Sequence, residues 1–463
     1  MRVSRFWCFF LGLTILSLGA LGAETDDGDP VARLKNENQR LRERVDALET
    51  ELDELKSVVQ SLAAEKTVSK PDTAPVMQQK LTPEEVDKLK QMAGQQQEDK
   101  QPVLSKIQLI PYGYIKLDAS YDTARTSVGD FARWVESEEL NNSDDQFNMT
   151  ANQTRFGLRM RAPTDGQMEA TGRVEVDFYG SNAAENKAKL MMRHAYMQLT
   201  WPESDLSLLA GQTSDVISPL YPYTLNYIVA WWAGNIGYRR PQIRLTKDWQ
   251  LGREVKLRAA TALTRNIGHS GPFDPGDSGE DEGMPGIQAR LGLTFPVVSE
   301  RPTTVGISGH WREEEFDVDP TGTSRQFESW SANLDLTQPL APWLTVKGEA
   351  FVGENLDAYL GGIGQGINTT SGEEIATWGA WLAAAVQAGE KWTMNLGGSF
   401  EDVDEDDVTS GSRTFNRSIF VNVIHAFSDT VSVGLELSHW YTEYKGQEDG
   451  DNLRAQSSFI FKF

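Results

Sequence analysis

From residue 106 to residue 463 one pattern repeats: apolar and polar side chains alternate over runs of about ten residues, the length a tilted strand needs to cross a bilayer. In YGYIKLDASYD, Ile115, Leu117, Ala119 and Tyr121 share one face, while Lys116, Asp118, Ser120 and Asp122 share the other. The same period of two recurs in RFGLRMRA (Phe156, Leu158, Met160), GRVEVDF (Val174, Val176, Phe178), VKLRAATAL (Val255, Leu257, Ala259) and ARLGLTF (Leu291, Leu293, Phe295). It continues in WSANLDL (Trp330, Leu334, Leu336), WTMNLGGSF (Trp392, Met394, Leu396) and VSVGLELSHW (Val433, Leu435, Leu437). About 16 runs can be placed, an even number as in bacterial outer-membrane barrels. Alternating lipid-facing and lumen-facing residues keep the average low, so a mean hydropathy of −0.44 does not argue for a soluble protein.

The connections alternate too. Residues 123–149, 180–189, 214–237, 265–285, 354–374 and 402–413 are long, whereas PTDG (163–166), WPES (201–204), QPLAP (338–342), QAGE (387–390) and FSD (427–429) are short. A soluble β-sandwich gives no reason for that rhythm; a barrel does, with tight turns on its periplasmic rim and extended loops on the outer one. The expected fold is an all-β transmembrane barrel of about 16 antiparallel strands over 106–463. The ending SSFIFKF fits it, because Phe459, Phe461 and Phe463 become the lipid face of a last strand that pairs with the first, where in water they would be an exposed edge. A terminal aromatic also resembles the signal by which the barrel assembly machinery recognises its clients.

The N-terminal quarter reads differently. Arg2 and Arg5 precede an apolar stretch from Phe6 to Leu18 and then Gly19, Ala20, Gly22 and Ala23, the pattern of a cleaved signal peptide over 1–23. Cys8, the single cysteine, lies inside it, so thiol chemistry is not expected of the mature chain. Over 31–66, Val31, Asn38, Val45, Leu52 and Val59 take heptad position a and Leu34, Leu41, Leu48, Leu55 and Leu62 position d, the pattern of an α-helical coiled coil. Glu37 with Arg42, Arg44 with Glu49 and Glu51 with Lys56 are attractive pairs in a parallel assembly. β-branched residues at a and a buried Asn38 lean toward a dimer; Arg44-Val45-x-x-Leu48-Glu49 resembles a short trimeric motif, and three copies are favoured. Residues 67–105, rich in Pro, Gln and Lys, form a linker with one short helix signal at LTPEEVDKLKQM. The expected coiled coil is periplasmic, because an even strand number leaves both barrel ends on that side.

Charge bounds the partners. With 44 Lys and Arg against 67 Asp and Glu the net charge is −23, which argues against nucleic acid. The barrel interior has the opposite bias in places: the alternation points Arg155, Arg159, Arg161, Arg173, Arg240, Arg244, Lys256, Arg258, Arg290 and Arg312 inward, with Asp335, Glu349, Glu401 and Glu436 elsewhere and Lys347 as an exception. Arginine ladders select anions, and a carboxylate matches the guanidinium fork. A plainer reading pairs these arginines with Glu169, Glu175 and Asp177 to brace a hydrated wall; selectivity is preferred for Arg155, Arg159, Arg240 and Arg244. Arg193 cannot be placed, since MMRHAYMQLTW alternates cleanly in neither phase. The acidic loops GDSGEDEG and EDVDEDD are read first as solvated faces and second as bridges to lipopolysaccharide through divalent cations.

Residues 214–237 contain one charged side chain, Asp215, among many aromatic and aliphatic ones. Such a loop is costly in water. As the third long loop it is expected to fold inward as a constriction bearing Tyr221, Tyr223, Tyr227, Trp231 and Trp232, with burial at a subunit interface as the alternative.

GYIKLDASYD, QTRFGLRMR, RVEVDFYG, RHAYMQL, AGQT and RRPQIRL, together with the leader and heptads, resemble the DcaP-like outer-membrane porins over nearly the whole mature chain. The resemblance implies a trimeric 16-strand channel for passive uptake of dicarboxylates and other small anions, with Arg155, Arg240 and Arg244 as matching lumen residues. The chain departs from the family after AGQT, where Ser214 stands in a place the family more often gives to Trp, and in the aromatic loop that follows, which puts substrate choice in question.

Catalytic signals are poor. No H-x-x-x-H or Cys cluster occurs, GGIGQG (361–366) lacks the strand-to-helix setting and Lys of a phosphate cradle, and Ser438 and His439 fall on opposite strand faces. No enzyme activity, cofactor or metal is expected. The expected function is an outer-membrane porin, homotrimeric through coiled coil and barrel; the competing class is an envelope tether or adhesin whose barrel is only an anchor.

Overall fold

A computed structural model describes residues 106–141, 144–163, 166–180, 188–265, 282–298, 301–317 and 325–463. The expected signal peptide, coiled coil and linker lie outside the described residues. The barrel strands are β1 (Gln108–Asp122), β2 in two segments (Gln146–Thr150 and Arg155–Arg161), β3 (Glu169–Asp177), β4 (Met191–Trp201), β5 (Leu206–Ser214), β6 (Arg239–Gln250), β7 (Lys256–Thr264) and β8 (Gly286–Pro296). They continue as β9 (Pro302–Phe316), β10 (Arg325–Ala341), β11 (Leu344–Glu354), β12 (Ala376–Ala388), β13 (Trp392–Val403), β14 (Arg413–Ala426), β15 (Val431–Tyr444) and β16 (Gly450–Lys462).

Each strand pairs antiparallel with its neighbours, and β1 closes on β16 with Tyr114 opposite Lys462 and Asp122 opposite Arg454, giving a closed 16-strand barrel. Closure is tight at its end: the Gly113 N–H donates to the Phe463 carbonyl at 3.0 Å and the Phe463 N–H donates back at 3.1 Å. A Cβ on Gly113 would stand 2.2 Å from the Arg155 carbonyl oxygen, so the position requires glycine. From Gly113 to Asp122 the seam is thereby paired within the sheet, the condition for lying in hydrocarbon.

The two faces of the sheet separate as the alternation demands. Outside, Ile115, Phe147, Leu245, Leu291, Ile307, Leu334, Leu396, Leu437, Phe459, Phe461 and Phe463 are exposed, an apolar band that only lipid or another protein can cover favourably. Inside, Lys116, Asp118, Gln288, Asn333, Asn395 and Ser458 are buried. The described residues of connections 123–145, 178–190, 215–238, 355–375, 404–412 and 445–449 lie at one rim, and 202–205, 251–255, 342–343, 389–391 and 427–430 at the other. Of the connections described in full, 445–449 alone breaks the long-and-short rhythm.

Two irregularities re-aim side chains into the lumen. In β2, Thr150 faces Asp118 and Arg155 faces Tyr114, so four residues oppose three and the extra one forms a bulge, with the Lys116 N–H donating to Thr154 Oγ1 at 3.2 Å. Thr150 and Arg155, five positions apart, consequently both point inward. In β4 the register shifts between Glu175 and Val176, whose partners are His194 and Met192, and Arg193 is the residue left over.

Candidate functional site

The connection 215–238 leaves β5 and returns as β6, yet its hydrogen bonds reach strands across the interior. The Leu220 N–H donates to Glu349 of β11 at 2.8 Å, the Leu225 N–H to Glu436 of β15 at 2.6 Å, and the Gly234 N–H to Glu401 of β13 at 3.1 Å. Thr224 Oγ1 also donates to Glu436 at 2.7 Å, and Trp381 Nε1 to Glu349 at 3.1 Å. The Leu225 carbonyl accepts from Lys116 Nζ and from Gln456 Nε2, each at 3.1 Å. A carboxylate taking backbone N–H groups makes a charge-assisted bond, stronger than a neutral one. Gly234, at φ +110°, presses its backbone on the wall so closely that a Cβ would meet the Ala380 carbonyl oxygen at 2.4 Å.

The interior is therefore filled unevenly. On β11, β13 and β15 the three glutamates are buried under this loop, and Ala132 and Val135 from 123–145 pack with Ile228, Trp231, Ala233 and Leu360 into one apolar cluster. On β2 the picture is opposite: Arg159 and Arg161 are exposed, and the Arg155 side chain is one-fifth exposed.

That arginine wall is stacked on tyrosines. Arg155 lies 5.2 Å over the Tyr114 ring, and Arg159 and Arg173 lie 4.6 and 5.4 Å over Tyr112, a geometry that fixes each fork without neutralising it. Two carboxylates of β3 take up part of the charge. Tyr112 Oη donates to Glu175 at 2.8 Å, Arg173 pairs with Glu175 at 2.5 Å, and Arg193 donates to Glu175 at 3.0 Å and to Asp177 at 2.6 Å. Arg155 stands 3.4 Å from Glu175, and its Nε has no hydrogen-bond partner. Among the described residues Arg155, Arg159, Arg161, Arg173 and Arg193 thus outnumber the inward carboxylates Glu169, Glu175 and Asp177 of the same wall. Arg244 on β6 adds a further charge held by neutral acceptors, Gln242 Oε1 at 2.9 Å and the Ser214 carbonyl. From the loop, the Tyr227 hydroxyl reaches this wall, donating to Asp177 at 3.1 Å and accepting from Arg193 at 3.3 Å. Burial pushes the Tyr227 phenol pKa up, so it meets Asp177 as a neutral donor.

Other arginines in the expected lining set are placed differently. Arg240 is 1% exposed; its Nε and Nη2 donate to Asp215 at 2.7 and 3.1 Å and Nη2 also to the Ala358 carbonyl at 3.1 Å. It ties the start of the third loop to 355–375 and is closed to a passing solute, which corrects its expected role. Alternation gives the face a side chain points to and carries no word of a loop that later covers that face. Arg290 forms a two-pronged pair with Asp335 (2.9 and 2.6 Å) and faces inward neutralised, whereas Asp248 is shared by Arg258 (2.7 and 2.8 Å) and Lys256 (3.0 Å). Arg312 is buried beside Glu314.

The loop aromatics divide as well. Trp231 is buried in the apolar cluster, a packing role that corrects its expected place in a constriction. Trp232 meets Trp134 edge-on at 6.3 Å, Tyr223 lies under Lys347 Nζ at 4.5 Å, and Tyr221 is exposed. Tyr112 and Tyr114 went unread as lumen residues, although the phase of YGYIKLDASYD places them with Lys116. Arg193 was unreadable because a bulge breaks the phase at that residue.

A closed, lipid-faced barrel with a polar interior and an inward-packed third loop defines a porin-type outer-membrane β-barrel. Within that class, residues 82–239 match the model of the family described as DcaP outer membrane protein, so the resemblance read in the sequence is found by direct comparison over the first five strands and the third loop. The solved structure of the outer membrane channel DcaP of Acinetobacter baumannii superposes with a TM-score of 0.63 at 17% identity, covering 78% of this chain and 98% of that one. An anion-selective porin from Comamonas acidovorans gives 0.53 at 12% identity (77% and 100% covered), and Salmonella typhi OmpF in complex with daunomycin 0.52 at 12% (78% and 99%). These likenesses are of fold. No curated protein sequence matches the chain significantly.

Proposed function

We propose that the protein is a passive outer-membrane channel, not an enzyme, that prefers small anionic solutes such as dicarboxylates. The solute passes between the inward-packed third loop and the arginine wall of β2–β6, with Tyr221, Tyr223, Tyr227 and Trp232 as the loop's contribution to the narrowing. The observation that carries this reading is the asymmetry of charge: carboxylates on the covered side are occupied by loop N–H groups, while on the other Arg159 and Arg161 are exposed, Arg244 has neutral acceptors and Arg155 shares Glu175 and Asp177 with further arginines. Rows of fixed guanidinium groups lower the cost of an anion in a narrow pore. The long loops are then extracellular, and the terminal Phe459, Phe461 and Phe463 serve barrel assembly. Three copies held by barrel and coiled coil are the assembly we favour on the Arg44-Val45-x-x-Leu48-Glu49 motif, although the a-position residues lean toward two, with lipopolysaccharide around the outer rim.

Planar-bilayer recording tests it. In a KCl gradient the reversal potential is expected on the anion side and to move toward zero in Arg155→Ala/Arg159→Ala/Arg161→Ala, whereas Arg258→Gln/Asp248→Asn, which removes a neutral pair, leaves it in place. A protein that inserts and does not conduct would instead favour the tether reading; one whose selectivity ignores the triple substitution would remove the arginine wall from the mechanism.

A further inference from the structure

At the long-loop rim, away from the arginine wall, two more arginines share one indole. Arg133, from the hairpin strand Phe131–Val135, lies 4.3 Å over the Trp134 ring and 5.0 Å over Trp232 of the third loop, and Arg413, the first residue of β14, lies 4.2 Å over Trp134. Each binds the protein through its Nε: Arg133 donates to Ser127 Oγ at 3.1 Å and Arg413 to the Ile363 carbonyl at 2.9 Å. Among the described residues neither guanidinium has a carboxylate within ion-pair distance, and no terminal Nη of either is hydrogen-bonded. Arg133, Trp134, Trp232 and Arg413 are all partly exposed. Gly364 borders them, and a Cβ there would stand 3.4 Å from the Trp134 ring and 3.6 Å from that of Trp232, so glycine keeps the indoles uncovered.

Stacking orients a guanidinium but leaves its charge and outer N–H groups unused. Two such charges on one indole repel: burial first, then the neighbouring Arg413, brings the Arg133 pKa down to about 10, and the field of Glu136 offsets only part of this. An anion that takes the free donors of both relieves that repulsion. We propose that Arg133, Arg413, Trp134 and Trp232 form a carboxylate-binding site at the channel mouth, distinct from the arginine wall, that takes a small organic dianion. Carboxylate is the matching chemistry because the two parallel N–H donors of a guanidinium meet its two oxygens, and a dianion offers one carboxylate to each fork.

The test reads binding rather than conduction, so its failure and that of the channel reading are separable. Succinate is titrated calorimetrically into the full-length protein in detergent, with Arg133→Gln, Arg413→Lys and the wall variant Arg159→Gln/Arg161→Gln alongside, each checked for native heat-modifiable mobility. Arg133→Gln and Arg413→Lys are expected to weaken one binding event about tenfold or more, the second because it keeps the charge and loses the fork, while the wall variant retains that event. Unchanged succinate affinity in natively migrating Arg133→Gln would overturn the site. So would a wild-type protein that binds no succinate, or inorganic phosphate displacing succinate as effectively as malonate does.

Discussion

Asp215→Ala should release the third loop. Its carboxylate accepts from Arg240 Nε at 2.7 Å, from Arg240 Nη2 at 3.1 Å, from the Tyr238 N–H at 2.7 Å and from Gln288 Nε2 at 2.9 Å. Asp215 and Tyr238 are the two ends of the loop, so this one side chain closes its neck. Removing it leaves Arg240 buried without that carboxylate, with the Ala358 carbonyl and the face of Tyr359, 3.8 Å away, among its remaining partners. Breaking a buried pair from one side costs about 3–5 kcal/mol, most of it the uncompensated charge. The barrel wall does not depend on the pair, so the loss should appear as local opening. Hydrogen exchange read by mass spectrometry on peptides covering Val216 and Gly237, whose amides bond Gln288 and the Tyr359 carbonyl, should accelerate by about two to three and a half orders of magnitude, as 1.4 kcal/mol is tenfold. Exchange over β11–β15 should stay as in the wild type. Asp215→Leu/Arg240→Met, which removes both charges, should restore part of the protection. Unchanged exchange in Asp215→Ala, or equal loss in the double variant, would refute the reasoning.

The remaining predictions concern close backbone contacts. Gly234→Ala places a Cβ 2.4 Å from the Ala380 carbonyl and 2.5 Å from that of Phe400 at a positive φ, so the loop must lift from β12 and β13; single-channel conductance is expected to rise. Gly113→Ala puts a Cβ 2.2 Å from the Arg155 carbonyl and should reduce the folded, heat-modifiable fraction in outer membranes, whereas Gly398→Ala, whose nearest contacts are at 3.7 Å, should be tolerated.

What the sequence disclosed follows from what a period of two can encode. Lipid demands an apolar side chain at every second position, so strand identity, inward and outward faces, and the two rims were all legible. Leu334 and Leu396 are exposed outside as read, and Asp335 and Glu401 face in. The reading stopped where regularity stopped: the β4 bulge hid Arg193, and the β2 bulge, which turns both Thr150 and Arg155 inward, left no trace in composition. Neither could the pattern tell an open inward position from a covered one, and Arg240 and Arg159 share a face in the alternation while one is buried and the other exposed.

That last distinction explains why two kinds of charge coexist on one wall. A carboxylate facing the lumen can be used up by backbone N–H groups, because a loop always carries donors; Glu349, Glu401 and Glu436 are used in this way. A guanidinium has only donors, and a backbone offers it carbonyls without charge, so an arginine under a loop needs a carboxylate as Arg240 needs Asp215, and an arginine without one keeps its field. Laying an almost uncharged loop across the glutamates cancels their influence and leaves that of β2 intact. In the function we propose, a strongly acidic chain thus presents a locally basic passage, and the sign of the pore follows from which half of the wall the third loop covers.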